Sequence, residues 1–233
     1  GALNTGRSNA AAAGIQTASF FAGGNQPPSG FSNLTEEYDG TSWTAGGNLS
    51  VSVRRNRGAG TLTAGLSTGG TTSTPERLTT SEEYNGTSWT TGNNMNFPRA
   101  QHASGGIQTN AIVFGGNPAP SRPQTEEYDG TTFTNSSATM GTGRYNLAGA
   151  GSRAAALAFG GGNPNTAATE EYFSDIANYS ASSQSAWASG GAVGLARTTA
   201  SAGTQTANVI FGGQMNNPPY APQSVVEEYN GSS

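Results

Sequence analysis

The stretch Glu-Glu-Tyr-Asn-Gly-Thr-Ser-Trp at residues 82–89 decides the fold, because it recurs along the chain. Its first three residues occur in five copies, 44 to 57 residues apart, at residues 36–38, 82–84, 126–128, 170–172 and 227–229. Tandem glycines precede each copy, beginning at Gly23, Gly69, Gly115, Gly160 and Gly212. Self-similarity at a period of about 20–50 residues is the signature of repeat architectures, so the sequence contains five copies of one structural unit.

Each repeat reads as four short strands. Strand a follows an arginine and is rich in Ala and Gly, strand b is an apolar run ending at the tandem glycines, strand c is Glu-Glu-Tyr, and strand d begins at the Trp. Asn85-Gly86 and Asp129-Gly130 favour tight hairpins between strands c and d. The pattern predicts an all-β chain, a five-bladed β-propeller of four-stranded antiparallel blades.

We expect one domain over residues 1–233, because each blade buries its faces only against its neighbours. The predicted repeats cover residues 7–53, 54–98, 99–143, 144–196 and 197–233 plus 1–6. The periodicity further predicts that the termini meet in one blade, with the N-terminal residues forming a short strand beside strand c of the last repeat. Alternatively, the chain is part of a larger protein whose flanks supply the missing piece.

Composition excludes several classes of function. The chain has no Cys and no Lys, and its only histidine is His102, so thiol, Schiff-base and His-cage metal chemistry have no residues to use. The net charge of −4 disfavours nucleic-acid binding, and no apolar run approaches the roughly 18 residues that span a membrane. We therefore predict a non-enzymatic protein without cofactor or metal; its oligomeric state stays open.

The repeat resembles that of the kelch family: an arginine, an apolar strand ending in Gly-Gly, a Tyr, and then a Trp or Phe. Two copies carry the pattern, Arg99…Gly115-Gly116…Tyr128…Phe133 and Arg144…Gly160-Gly161…Tyr172…Trp187. The amino-acid sequence of the repeats is also similar to that of repeats in structural proteins of bacteriophage virions. The first resemblance implies a binding platform, and the second implies a place on a phage particle, virion-bound or extracellular.

One arginine per repeat marks the start of strand a. As a ring on one face, these arginines could bind carboxylates, sulfates or phosphates; the alternative, which we favour, is that each pairs with a Glu of the Glu-Glu doublets. Adjacent residues of a strand point to opposite faces, so a doublet does not converge on one ion. The repeated aromatic residues are expected to pack between blades. The arginines are Arg7, Arg54, Arg99, Arg144 and Arg197.

The loops between strands b and c vary in length and are partly Pro-rich, which lowers the cost of ordering them on binding. Their face of the propeller is the predicted contact surface, and the most distinctive side chains there are Arg77, Arg122, Met215 and Tyr220. The alternative is that these loops only link the strands.

The leading hypothesis is a binding or structural propeller, an adhesion or interaction module of a phage tail or capsid. Its partners would be other virion proteins or a glycan or protein of the host surface. The alternative is a lectin-like protein that binds glycans through several blades.

Overall fold

The structure is a computed structural model that describes residues 1–28, 30–74, 76–118, 121–162, 165–174, 186–190, 198–203, 208–214 and 226–229. These residues form strands, turns and loops, which confirms the predicted all-β class. The described part of the chain contains no helix that could cross a membrane.

The strands form antiparallel sheets in chain order, in a β-propeller arrangement. The first blade contains β1 (Ala11–Ile15), β2 (Ala18–Ala22), β3 (Thr35–Tyr38) and β4 (Trp43–Ala45). The second contains β5 (Arg57–Thr61), β6 (Ala64–Thr68), β7 (Ser81–Tyr84) and β8 (Trp89–Thr91). The third contains β9 (Ala103–Ile107), β10 (Asn110–Phe114), β11 (Gln124–Tyr128) and β12 (Phe133–Thr139). The fourth contains β13 (Ala148–Gly151), β14 (Ala155–Phe159), β15 (Thr169–Phe173) and β16 (Ala186–Gly190). The remaining strands are β17 (Thr198–Gly203), β18 (Asn208–Gln214) and β19 (Val226–Tyr229).

The described residues form four complete blades, so the prediction of five four-stranded blades is wrong. The last repeat forms a sheet of three strands in the described residues, in the order β17–β18–β19. The expected N-terminal strand is also absent, since residues 1–6 lie outside every strand. Asn4 instead donates from its backbone N to Glu36 Oε2 at 2.7 Å and from Nδ2 to the Trp43 carbonyl at 2.8 Å. Residues 1–6 are therefore held to the first blade by the Glu36 side chain and the Trp43 carbonyl, and they do not pair with a strand.

The chain divides into two compact units. Unit 1 contains residues 1–101, 107–111 and 128–134, and unit 2 contains residues 102–106, 112–127 and 135–233. The single domain over 1–233 and the meeting of the termini stay predictions, and residues 230–233 lie outside the described part.

The turns between strands c and d form as predicted from Asp-Gly and Asn-Gly. Asp39 Oδ1 accepts hydrogen bonds from the backbone N of Thr41 and of Ser42, both at 2.8 Å. These donors favour the charged carboxylate and lower its pKa. Gly40 adopts a φ of 95°, which glycine reaches without the steric cost of a side chain. Asn85 and Asp129 make the same two backbone contacts in later repeats.

Each unit has an apolar core of thin layers between strands. In unit 1, Phe20 is fully buried and its ring meets the edge of Trp89 from the next blade, with centroids 5.4 Å apart. Trp89 Nε1 also donates to Thr35 Oγ1 at 2.9 Å. In unit 2, Leu157 and Phe159 pack with Ala148. Small strand-a residues let the apolar residues of neighbouring strands close over them, which explains how a chain with so few apolar residues forms a core.

Candidate functional site

The repeated arginines of the first and fourth repeats are buried structural groups. Arg7 Nη1 donates to the carbonyl oxygens of Gly23 at 2.9 Å and Leu34 at 2.5 Å, and Nη2 donates to Glu36 Oε1 at 2.9 Å. Arg144 makes the same set of contacts in unit 2, and burial lowers its pKa while its glutamate partner opposes that shift. The corresponding partners of Arg144 are Gly160, Ala168 and Glu170.

In the second repeat, Val53 rather than Arg54 occupies the position of the repeated arginine. The Val53 carbonyl accepts a hydrogen bond from Gly24 N at 2.7 Å. In the third repeat the Arg99 carbonyl accepts the equivalent bond from Gly70 N at 2.9 Å. The sequence assignment of Arg54 is therefore one residue away from the structural position.

Arg54 occupies instead the position of a polar residue on the loop surface. Its backbone exchanges two hydrogen bonds with Thr71, at 3.1 and 2.9 Å. Ser8 and Asn25 exchange the equivalent pair in the first repeat, at 3.1 and 2.6 Å. The Arg54 side chain therefore does not lie in the buried position that Arg7 occupies in the first repeat. It lies at the ends of the strands, beside the loops.

A small cavity remains beside Val53, where the other repeats hold their arginine. Its volume is about 10 Å³, and its lining includes Gly69, Thr80 and Glu82, the counterparts of the three groups that Arg7 contacts. Glu82 is buried and accepts a hydrogen bond from Ser50 N at 2.9 Å. The second repeat therefore keeps the carboxylate of the structural pair and lacks its cation.

Arg54 forms part of a larger cleft in unit 1, which we call the arginine cleft. The cleft has a volume of about 260 Å³ and lies between the b–c loops of the first two repeats and the segment that precedes β5. It is lined by three guanidinium groups, four hydroxyl side chains and one aromatic ring, with no carboxylate in the lining. The residues are Arg54, Arg55, Arg77, Thr71, Thr72, Ser73, Thr74 and Phe31.

Arg54 is held at the wall of this cleft by two neighbours from the first repeat. Its Nη1 donates to Asn25 Oδ1 at 3.0 Å, and its guanidinium carbon lies 4.5 Å from the centre of the Phe31 ring. Such cation–π contacts favour a positive charge over the ring face. The Arg54 side chain is therefore fixed in place before any ligand arrives.

Arg55 is the least satisfied cation of the cleft. Its backbone has a φ of 64°, in the left-handed region that other repeats fill with Asn9, Gln101 and Asn146. A long side chain gains nothing from this conformation, in contrast to Asn, which forms local hydrogen bonds there. The described residues give its guanidinium no hydrogen bond, and burial followed by the charges of Arg54 and Arg77 lowers its pKa.

Together these groups make a site for an anion. Guanidinium groups present planar forks of N–H donors that match carboxylate, sulfate and phosphate oxygens, and hydroxyl groups add further donors. Burial, and then the charges of Arg54 and Arg77, lower the pKa of Arg55, and an anion bound in the cleft would offset the repulsion between these charges. The cleft is smaller than the roughly 300–1,000 Å³ of a typical small-molecule pocket, so it suits one charged group of a larger partner.

The other predicted contact residues have different positions. Arg99 is fully buried, whereas Arg122 is half-buried, and the Arg122 backbone N donates to the Gly116 carbonyl at 2.9 Å. The single histidine, His102, is fully buried as well. Three predicted site residues lie outside the described part of the chain: Arg197, Met215 and Tyr220. Of the two predicted loop residues that the structure describes, Arg77 belongs to the lining of the arginine cleft and Arg122 does not.

The two carboxylates of each doublet serve different partners, as expected from their opposite faces. Glu36 pairs with Arg7 of its own repeat, whereas Glu37 accepts a hydrogen bond from the Tyr84 hydroxyl of the next. Tyr128 with Glu83 and Tyr172 with Glu127 make the same contact between successive repeats. Burial, and then the hydrogen bond to Glu37, raise the pKa of Tyr84 to about 12. The described residues contain no group of three His, Asp or Glu side chains that could hold a metal ion.

Sequence reasoning missed Arg55, Arg57 and Phe31. The signal for the first two was in the run Val53-Arg54-Arg55-Asn56-Arg57, which holds three of the ten arginines of the chain. Phe31 gave no such signal, because its contact with Arg54 depends on the packing of two blades.

Comparison with known proteins adds no relatives. No protein-family model matches the chain, and the search of curated proteins gives no match. The kelch-like and phage-like resemblances therefore depend on the residues alone.

Proposed function

We propose that this protein is a non-enzymatic binding module that recognises an acidic group of its partner through the arginine cleft. The observation that carries the proposal is the convergence of Arg54, Arg55 and Arg77 on one cleft without a carboxylate in its lining. A propeller fold agrees with a binding or structural role. The local charge is opposite to the net charge of −4, so an acidic partner finds attraction at this point of a generally repulsive surface.

The chemistry of the cleft favours binding over catalysis. Its lining contains no His, Asp, Glu or Cys, so it offers no general base and no activated nucleophile. Arginine stays protonated and serves as a donor in recognition. We therefore propose a role without turnover, cofactor or metal.

More specifically, we propose that the protein serves in adhesion as part of a phage particle, by binding virion proteins or the host surface. The support for this role is the similarity of the repeat sequences to those of phage structural proteins. A host-surface glycan with carboxylate or sulfate groups would satisfy the same cleft, as would an acidic protein segment. A lectin-like function is the alternative, and the Arg and hydroxyl lining of the cleft would suit an acidic sugar.

Calorimetric binding tests this function with three probes: a sulfated oligosaccharide, a polyglutamate peptide and a neutral oligosaccharide. We expect the anionic probes to bind and the neutral one not to bind. Arg55→Gln should weaken binding about tenfold or more, since a hydrogen bond to a charged group contributes about 1.5–3 kcal/mol.

Arg153→Gln is the matched control, because it removes the same charge from a residue that pairs with Glu127 in unit 2. Preference for the oligosaccharide would favour the lectin alternative, and preference for the peptide would favour a protein partner. Absence of binding by both anionic probes, or equal loss in the two variants, would refute the cleft as the site.

A further inference from the structure

Arg57 is an arginine at a position where other blades have alanine. It is the first residue of β5 and pairs with Thr68, the last residue of β6. The equivalent pairs are Ala11 with Ala22 in the first blade and Ala148 with Phe159 in the fourth. Both alanines are buried, so the second repeat has a long cation at a site built for a methyl group.

The surroundings of Arg57 leave most of its donors unused. Its Nη1 donates to the Asn56 carbonyl at 3.0 Å, which is the single hydrogen bond that its side chain makes to the described residues. A guanidinium group has five N–H donors. No ion pair with a described Asp or Glu neutralises it.

Arg57 is also partly buried. Burial lowers its pKa to about 10, with no carboxylate among the causes, so the group is still charged at neutral pH. A partly buried charge without a counter-charge is less favourable than one in water, and proteins often pair such groups. The residue keeps part of its surface exposed, so a dissolved ion can reach it.

We propose that Arg57 is the anchor of a second binding site, which takes a small inorganic oxyanion such as sulfate or phosphate. The ion would supply the acceptors that the chain lacks and would neutralise the enclosed cation. This site is distinct from the arginine cleft, whose lining does not include Arg57. The proposal does not depend on the function proposed for the cleft.

The consequence is a stability that depends on the anion. An ion that binds only the folded protein stabilises it in proportion to the logarithm of its concentration above the dissociation constant. Sulfate also stabilises proteins generally by exclusion from their surface, an effect that does not saturate at a site. A variant without the guanidinium separates the two contributions.

The experiment is thermal unfolding of the whole chain during a sulfate titration, for the native protein, Arg57→Ala and Arg55→Gln. Arg57→Ala installs the residue found in the other blades. We expect the native protein and Arg55→Gln to show a rise in midpoint that begins at low sulfate concentration. Arg57→Ala should show a smaller rise than the native protein, because only the cleft lined by Arg54, Arg55 and Arg77 can then hold sulfate, and the double variant with Arg55→Gln should show only the gradual general effect. Without sulfate, Arg57→Ala should be at least as stable as the native protein.

Loss of the site-specific response in Arg55→Gln and its full retention in Arg57→Ala would overturn the inference and would leave the proposed function of the cleft standing. Absence of that response in the native protein would also overturn it. If Arg57→Ala fails to fold, crystals of the native protein soaked in selenate decide: an anomalous peak at the Arg57 guanidinium supports the site, and its absence there refutes it.

Discussion

Replacing Arg7 by valine tests the repeated arginine as a structural group, because the second repeat already has valine at this position. Arg7 and Glu36 have side chains that are 0% and 5% exposed. The substitution removes four hydrogen bonds and leaves three carbonyl groups and one carboxylate without their cation. The slot would come to resemble the one beside Val53.

The expected loss follows from the burial of the pair. Removing one partner of a buried ion pair costs about 3–5 kcal/mol. Glu36 keeps two backbone donors, Asn4 N at 2.7 Å and Thr5 N at 3.2 Å, so the lower end of that range applies. We therefore expect Arg7→Val to lower the free energy of unfolding by about 3 kcal/mol. The double variant with Glu36→Gln should recover about 1 kcal/mol or more, since it no longer buries an unpaired charge.

Urea denaturation followed by far-ultraviolet circular dichroism measures both variants. The slope of the transition should stay unchanged while its midpoint falls, which shows that stability alone has changed. A loss below about 1 kcal/mol for the single variant would refute the structural role of the pair. A double variant less stable than the single one would show that Glu36 acts independently of Arg7.

Three further predictions follow from the same contacts. Val53→Arg should stabilise unit 1, because the new guanidinium can reach Gly69, Thr80 and Glu82; a lower urea midpoint would contradict this. Tyr84→Phe should cost about 1 kcal/mol by removing the hydrogen bond to Glu37, and thermal unfolding should show it. The raised pKa of Tyr84 means that the folded state holds its proton more tightly, so the contribution of this group to stability is complete below pH 10 and is lost as the pH rises towards 12. An absorbance titration at alkaline pH should find this tyrosine ionising late in the native protein, and a titration with all tyrosines near pH 10 would contradict the assignment.

Much of the fold could be predicted because the repeat shows its strands directly. The apolar run before Gly-Gly became a largely buried strand in the first four repeats, and the Asp-Gly and Asn-Gly steps became turns, as at Asp39. The Glu-Glu doublet separated its two side chains because a strand alternates its faces. These are local rules, and one sequence suffices to apply them.

The site was less predictable because the second repeat is shifted by one residue relative to the alignment of the repeated arginines. Aligning the repeats by residue type selects Arg54, whereas the backbone aligns Val53 with Arg7. The left-handed residues of the structure reveal the shift, because Asn9 lies two positions after Arg7 and Arg55 lies two positions after Val53. The contribution of Phe31 could not be found at all, since it joins loops of different blades.

The hydrogen bonds from Tyr84, Tyr128 and Tyr172 to a glutamate of the preceding repeat have a consequence for how the chain can change. The Tyr donor and the Glu acceptor both belong to the Glu-Glu-Tyr sequence, so every copy contains the donor for one neighbouring repeat and the acceptor for the other. A duplicated copy meets its neighbours with matching groups on either side and requires no compensating substitution. Copy number can therefore vary by recombination between repeats, while the loops beyond the tandem glycines diverge independently.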